Sequence, residues 1–226
     1  MRYMRHGLLI LCCLLLAGAA WAGPVVCIDP GHPSERNAGR AVQHGLREVD
    51  VNWAVAQALA ARLKAQGVTV VLTKTRVGEY VTNRRRAEIA NAAKAALFIR
   101  LHCDTGAGRG YALYYPDRQG QVAGHYGPPA ALRAASKRAA EAIRAGMAKA
   151  PCALRDNGVK GESATFVGRR QGALTGSIFS KVPAVTVEMA FLSNRADAAN
   201  IGSRVGRDAM AQSLASGIAR YLEARK

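Results

Sequence analysis

From Val25 onward, short apolar runs alternate with segments whose apolar residues recur at helical spacing. This alternation restricts the chain to few folds. Strand, helix, strand in succession calls for right-handed crossovers, and these build a mainly parallel, twisted sheet with helices covering both faces. Residues 25–29 (VVCID) end at Pro30-Gly31 and read as a buried strand followed by a turn. Residues 49–66 carry a helical apolar pattern that stops at Gly67, and 68–72 (VTVVL) is the next strand. Thr82 can cap a helix reaching about residue 94, followed by a strand at 97–102 (LFIRLH) and another at 111–115 (YALYY). A Gly/Pro-rich loop leads into an Ala-rich helix at 130–149, a last buried strand covers 182–188 (VPAVTVE), and an amphipathic helix at 207–224 closes the chain. No repeat or long linker divides these elements, so residues 23–226 are expected to form a single α/β domain.

The N-terminus bears on compartment. Arg2 and Arg5 precede a short apolar run, GLLILCCLLLAGAA, and Ala20-Trp21-Ala22 supplies small residues where a signal peptidase reads. Residues 1–22 are therefore expected to be a cleavable secretory signal peptide, cut between Ala22 and Gly23. The apolar run is shorter than the about 20 residues a membrane helix needs, and the mature chain shows no later transmembrane segment. Leu11 before Cys12 argues against a lipoprotein. The whole chain has 32 Lys+Arg against 15 Asp+Glu, a net charge of +17, and loss of Arg2 and Arg5 with the leader leaves +15. Such a surface is drawn to polyanions: nucleic acid, an anionic membrane or an anionic wall polymer. Export and the lack of a nucleic-acid motif argue against the first. Of the cysteines outside the leader, Cys27, Cys103 and Cys152 are too few for a disulfide framework and form no Cys-x-x-Cys metal pair.

In an open α/β sheet the working crevice lies beyond the carboxyl ends of the strands. His32 follows the first strand, His102 ends LFIRLH, and Glu188 ends VPAVTVE. With Val51, Val55, Leu59 and Leu63 as the buried stripe of the first helix, Glu48 shares the inward face, where a carboxylate needs a partner. The alternative for Glu48 is an exposed first-turn acid favoured by the helix dipole. Two imidazoles and one carboxylate are the ligand set of a catalytic zinc site with an open position for water. His32, Glu48 and His102 would be the metal ligands and Glu188 the catalytic base.

Several segments together carry a family resemblance. VVCIDPGH at 25–32, Glu48 before its apolar helix, GVTVVLT at 67–73, Arg86 with Ala90-Asn91, LFIRLHCD at 97–104 and VPAVTVEMAFLSN at 182–194 resemble the zinc-dependent N-acetylmuramoyl-L-alanine amidases of the amidase 3 type. The resemblance implies Zn2+ on His32, Glu48 and His102, with Glu188 assisting catalysis. It also implies peptidoglycan as the partner, hydrolysis of the bond between the lactyl group and L-alanine, and a periplasmic or secreted location. A zinc peptidase acting within stem peptides, and a non-catalytic wall-binding domain, are the alternatives. The chain is expected to work as a monomer without nucleic acid, and an activator protein is left open.

The chain departs from the family pattern at Pro33-Ser34, Lys74, Asp104 and Ala190, none of which removes a proposed ligand or the base. Cys103 should face away from His102 and be core, as should Cys27, while Cys152 follows Pro151 in a loop and is expected to be exposed. His44 is near enough to Glu48 in sequence to compete as a ligand. Arg84 and Arg85 read as a solvated helix face, the resemblance implies a structural role for Arg86, and residues 168–172 (GRRQG) read as a basic loop beside the crevice.

Overall fold

A computed structural model describes residues 23–225, so the expected signal peptide at 1–22 lies outside the described residues. The elements in order are β1 (Val25–Pro30), β2 (Val42–Gln43), β3 (Leu46–Arg47), α1 (Glu48–Ala65), β4 (Thr69–Leu72), α2 (Asn83–Ala92), β5 (Leu97–Asp104), β6 (Tyr111–Tyr115), β7 (Gly120–Val122) and β8 (His125–Gly127). They continue with α3 (Ala130–Met147), β9 (Asp156–Gly161), α4 (Phe166–Gln171), α5 (Thr175–Phe179), β10 (Ala184–Phe191), α6 (Arg195–Gly202) and α7 (Arg204–Glu223). The central sheet has six strands in the order β4-β1-β5-β10-β6-β9. β4, β1, β5 and β10 run parallel, β6 pairs antiparallel with β10, and β9 runs parallel to β6. The sheet is thus mostly parallel, as the alternation requires.

The period-2 alternation of strands decides what each face holds. Val26 and Ile28 of β1, Leu97, Ile99, Leu101 and Cys103 of β5, and Val185, Val187 and Met189 of β10 join the main core, which α1, α3 and α7 complete. Cys27, Phe98 and Ala184 face the other way into a thinner layer with Ala87 and Ala90 of α2. Asp29, Arg100, His102, Thr186 and Glu188 fall in that second register, so the polar residues share the thin face. α3 packs on α7, β6 and β10, which makes it a structural layer of the domain.

Several elements escaped the sequence pattern, among them the β2–β3 pair, α5 and α6. β9 (DNGVKG) has no apolar run, because an edge strand, paired on one side only and half-buried, does not need one. Within the Gly/Pro-rich loop, β7 and β8 form a hairpin whose turn puts Ala123 and Gly124 at positive φ (48° and 77°); alanine hides that turn, since glycine or asparagine normally occupies such positions. Residues 168–172, expected as a loop, lie largely within the short helix α4, which is capped by the Thr165 hydroxyl accepting from Gly168 N. Among the described residues, no helix is long and apolar enough to cross a membrane.

Candidate metal centre and cleft

Beneath the cleft, one buried carboxylate organises the loop that carries His32. Asp29 accepts from Arg86 Nη1 (2.5 Å), Arg100 Nε (3.0 Å) and Thr73 Oγ1 (2.6 Å), and it is fully buried. Burial alone would raise its pKa, but the two guanidinium charges override it and hold the carboxyl well below the usual range. Arg86 also donates to the carbonyls of Pro30, Pro33 and Val81. Buried Lys74 donates to the carbonyls of His32 and Val77. The loop thus has its carbonyls satisfied by two buried cations, which keeps His32 at the unusual φ of 61°. Of Asp29, Lys74, Arg86 and Arg100, only Arg86 was expected to have a structural role, which the family resemblance implied. Lys74, Asp29 and Arg100 were missed as a network, although a charged residue inside an apolar run such as LFIRLH is a signal that it has a buried partner.

His32, Glu48 and His102 come together at the carboxyl ends of β1 and β5. His32 Nε2 lies 3.1 Å from Glu48 Oε2, and His102 Nδ1 lies 3.1 Å from Glu48 Oε1. One ligating atom from each of the three fits within 4.8 Å of the others. Tetrahedral zinc with bonds of about 2.0–2.1 Å sets its ligands about 3.3 Å apart, so this donor set fits zinc in spacing and in chemistry. Each of these three side chains is held from behind. His32 Nδ1 donates to the Asn37 carbonyl (3.1 Å), which turns Nε2 toward the cluster. Glu48 Oε1 accepts from Cys103 N (3.1 Å) and Asn52 Nδ2 (3.3 Å). Burial pushes Glu48 up, yet the hydrogen bonds from His102 and His32 pull it further down, so it is a carboxylate at neutral pH. Burial also lowers His102 to about 4, leaving the neutral imidazole that ligates metals. Glycine is required beside the cluster: a methyl group on Gly31 would lie 2.3 Å from His102 Cε1.

Glu188 pairs in strand register with His102. Burial, then the charges of Glu48 and Asp104, push its pKa well up, and its Oε2 has no partner. A cleft of about 150 Å³ is lined by His32, His102 and Glu188 together with Ser34, Arg36, Asn83, Arg100, Val167, Leu174, Thr175 and Thr186. Its outer wall is fixed by Glu162, which is buried and accepts from Ser177 Oγ (2.6 Å) and Leu174 N (2.8 Å); burial raises its pKa to about 7.

Other sequence candidates fall away from this centre. His44 is exposed, with its ring against the Ser193 carbonyl. Cys103 and Cys27 are buried with strongly raised thiol pKa values, as expected of core residues. Cys152 is partly buried instead of exposed, because its segment, with Leu154, packs against the main core. Arg84 and Arg85 are solvated and pair with Glu88.

Comparison with known proteins agrees with this architecture. The family model described as N-acetylmuramoyl-L-alanine amidase matches residues 26–220. N-acetylmuramoyl-L-alanine amidase LytC of Bacillus subtilis is 32% identical over 202 residues, which cover 88% of this chain and 36% of that protein. The chain thus spans about a third of that relative's length. Among solved structures, the amidase AmiC2 of Nostoc punctiforme superposes with a TM-score of 0.71 at 25% identity, covering 88% of this chain and 97% of that one. The catalytic domain of the amidase CwlV from Bacillus (Paenibacillus) polymyxa gives 0.69 at 26% identity, covering 88% and 98%.

Proposed function

The chain belongs to the N-acetylmuramoyl-L-alanine amidase family, and from that premise we propose that it hydrolyses the amide between the lactyl group of N-acetylmuramic acid and the L-alanine of the stem peptide. His32, Glu48 and His102 hold Zn2+, and Glu188 is the proton carrier. The observation that carries the reading is the His-Glu-His cluster at the sheet's carboxyl edge with Glu188 beside His102. Bound zinc supplies a Lewis acid that polarises a carbonyl and makes a nearby water more acidic. The protein's share is positional. Glu48 is fixed by Cys103 N and Asn52, and His32 by Asn37, so the ligands need little reorganisation. Glu188, with an unpaired oxygen in the cleft lining, takes the proton of the attacking water and returns it to the leaving amine.

Export completes the reading: residues 1–22 act as a signal peptide, and the mature enzyme meets peptidoglycan in the periplasm or outside the cell. N-terminal sequencing of protein recovered outside the cytoplasm is expected to begin at Gly23. The activity is tested by digesting purified sacculi with zinc-loaded protein and analysing the products by mass spectrometry. Intact stem peptides and bare glycan strands are expected. Shortened peptides would instead establish a peptidase, and no released product would leave a wall-binding domain.

A further inference from the structure

The cleft has an asymmetric charge that the hydrolytic chemistry does not require. Glu188 is the single carboxylate among its lining residues, and Arg36 and Arg100 supply two guanidinium groups. Arg100 is largely committed, with Nε on Asp29 and Nη2 on Asn83 Oδ1 (2.6 Å). Arg36 is not. Its Nη2 reaches only the neutral Gln171 Oε1 at 3.3 Å, and among the described residues no carboxylate lies within salt-bridge distance of it. Its chain neighbour Glu35 is engaged elsewhere, accepting from Asn83 N (2.9 Å) at the start of α2. The floor below also carries a charge excess, since buried Arg86 and Arg100 share Asp29. Beside them Thr186, 2% exposed and lining the same cleft, has a hydroxyl without a partner. Exposed Arg36 thus lines a cleft whose floor carries an excess of positive charge, with hydroxyl and amide groups among the other lining residues, and a free guanidinium in that setting is a receptor for a planar anion.

We propose that the Arg36 wall, with Ser34 and Asn83 beside it, is a carboxylate subsite that receives the first free carboxylate of the stem peptide beyond the scissile amide. This rests on the amidase reading and adds which part of the substrate lies on which side of the metal centre: the acidic peptide runs toward Arg36 and Gln171, the sugar away from them. The subsite sits on the loop where Pro33-Ser34 departs from the family pattern, so the preference belongs to this chain.

The test is a binding measurement on the zinc-loaded protein, using a ligand that lacks the scissile bond. The probe is the tripeptide L-Ala-γ-D-Glu-L-Lys amide, with the glutamyl α-carboxylate free in one preparation and converted to a carboxamide in the other, titrated by calorimetry or chemical-shift perturbation. The free acid is expected to bind about tenfold tighter or better, the scale of one charge-assisted contact. Arg36→Gln should erase that ratio and Arg36→Lys should restore part of it. Lys64→Gln should leave it intact, because exposed Lys64 in the last turn of α1 lies about 24 Å along the helix from Glu48. Equal binding of acid and amide, a ratio that survives Arg36→Gln or falls equally in Lys64→Gln, or no binding of either peptide would overturn the proposal. Sacculus digestion decides the amidase reading separately, since tripeptide binding requires no hydrolysis.

Discussion

Replacing Arg86 by leucine removes the side chain that joins Asp29, at the floor of the cleft, to the carbonyls of the His32 loop. In the folded protein Arg86 is 1% exposed, donates to Asp29 Oδ1 and caps the carbonyls of Pro30, Pro33 and Val81. Breaking a buried ion pair from one side costs about 3–5 kcal/mol, and each buried acceptor left unpaired adds about 1–3 kcal/mol when water cannot reach it. Asp29 keeps Arg100 and Thr73, and a cleft this close to solvent can admit water, so the sum is moderated. The net expectation is about 3–5 kcal/mol, or a fall in Tm of about 6–20 °C for a domain of this size. The pH dependence has a definite sign. Asp29's folded pKa lies below its unfolded value of about 3.9, so its stabilising contribution is fully present above that pH and is lost progressively as pH falls from there through the depressed folded pKa. Arg86→Leu weakens the depression, so the gap between wild type and variant should be widest near pH 7 and narrower near pH 3. Urea unfolding at both pH values, followed by circular dichroism, measures it. A loss under about 1 kcal/mol at pH 7, or a gap that widens on acidification, would refute the reasoning.

Other expectations follow from the same geometry. Gly31→Ala should lower zinc affinity about 10- to 100-fold, because its methyl group would displace the His102 ring from 2.3 Å away; metal competition with a chromophoric chelator reads this, and an unchanged affinity contradicts it. Glu162→Gln should gain stability relative to wild type as pH rises from about 4 to 7, since the native carboxyl titrates near 7, above its unfolded value, and wild type loses stability over that interval; parallel unfolding profiles would contradict it. Sacculus binding should weaken as salt rises from about 0.05 to 0.5 M if the excess of Lys and Arg holds the enzyme on anionic wall polymers, and a salt-independent pull-down would remove that role from the charge.

Much of this is legible in the sequence, for a physical reason. Strands buried on both faces need unbroken apolar runs, so VVCID, VTVVL, LFIRLH and VPAVTVE mark the four parallel strands, and His32, His102 and Glu188, at or just beyond the ends of three of them, mark the edge of the sheet where the His-Glu-His group gathers. Glu48 was ambiguous because a first-turn acid satisfies the helix dipole equally well in water. Cys103 N and Asn52, which hold it inward, contribute a main-chain group and a side chain whose roles exist only after α1 meets β5. The cleft wall was the least legible part. Glu162, Gln171 and Thr175 lie on a 3-10 turn and two short helices with no periodic pattern, and they gain meaning only where Glu162 pins Leu174 and Ser177 against the sheet. Lys74 was noted as a departure from the family pattern, but only the fold shows its ammonium buried on the carbonyl of His32.

The central claim is that three residues hold the metal and a fourth moves the proton, and one paired experiment separates these roles. Zinc content by atomic absorption and sacculus hydrolysis are measured together on wild type, Glu188→Ala and His102→Ala. The account predicts that Glu188→Ala retains about one zinc per chain while hydrolysis falls by a factor of 100 or more, on the order expected for a lost general base, and that His102→Ala loses both zinc and activity. A fully active Glu188→Ala enzyme, or a His102→Ala protein that binds zinc as tightly as wild type, would contradict it.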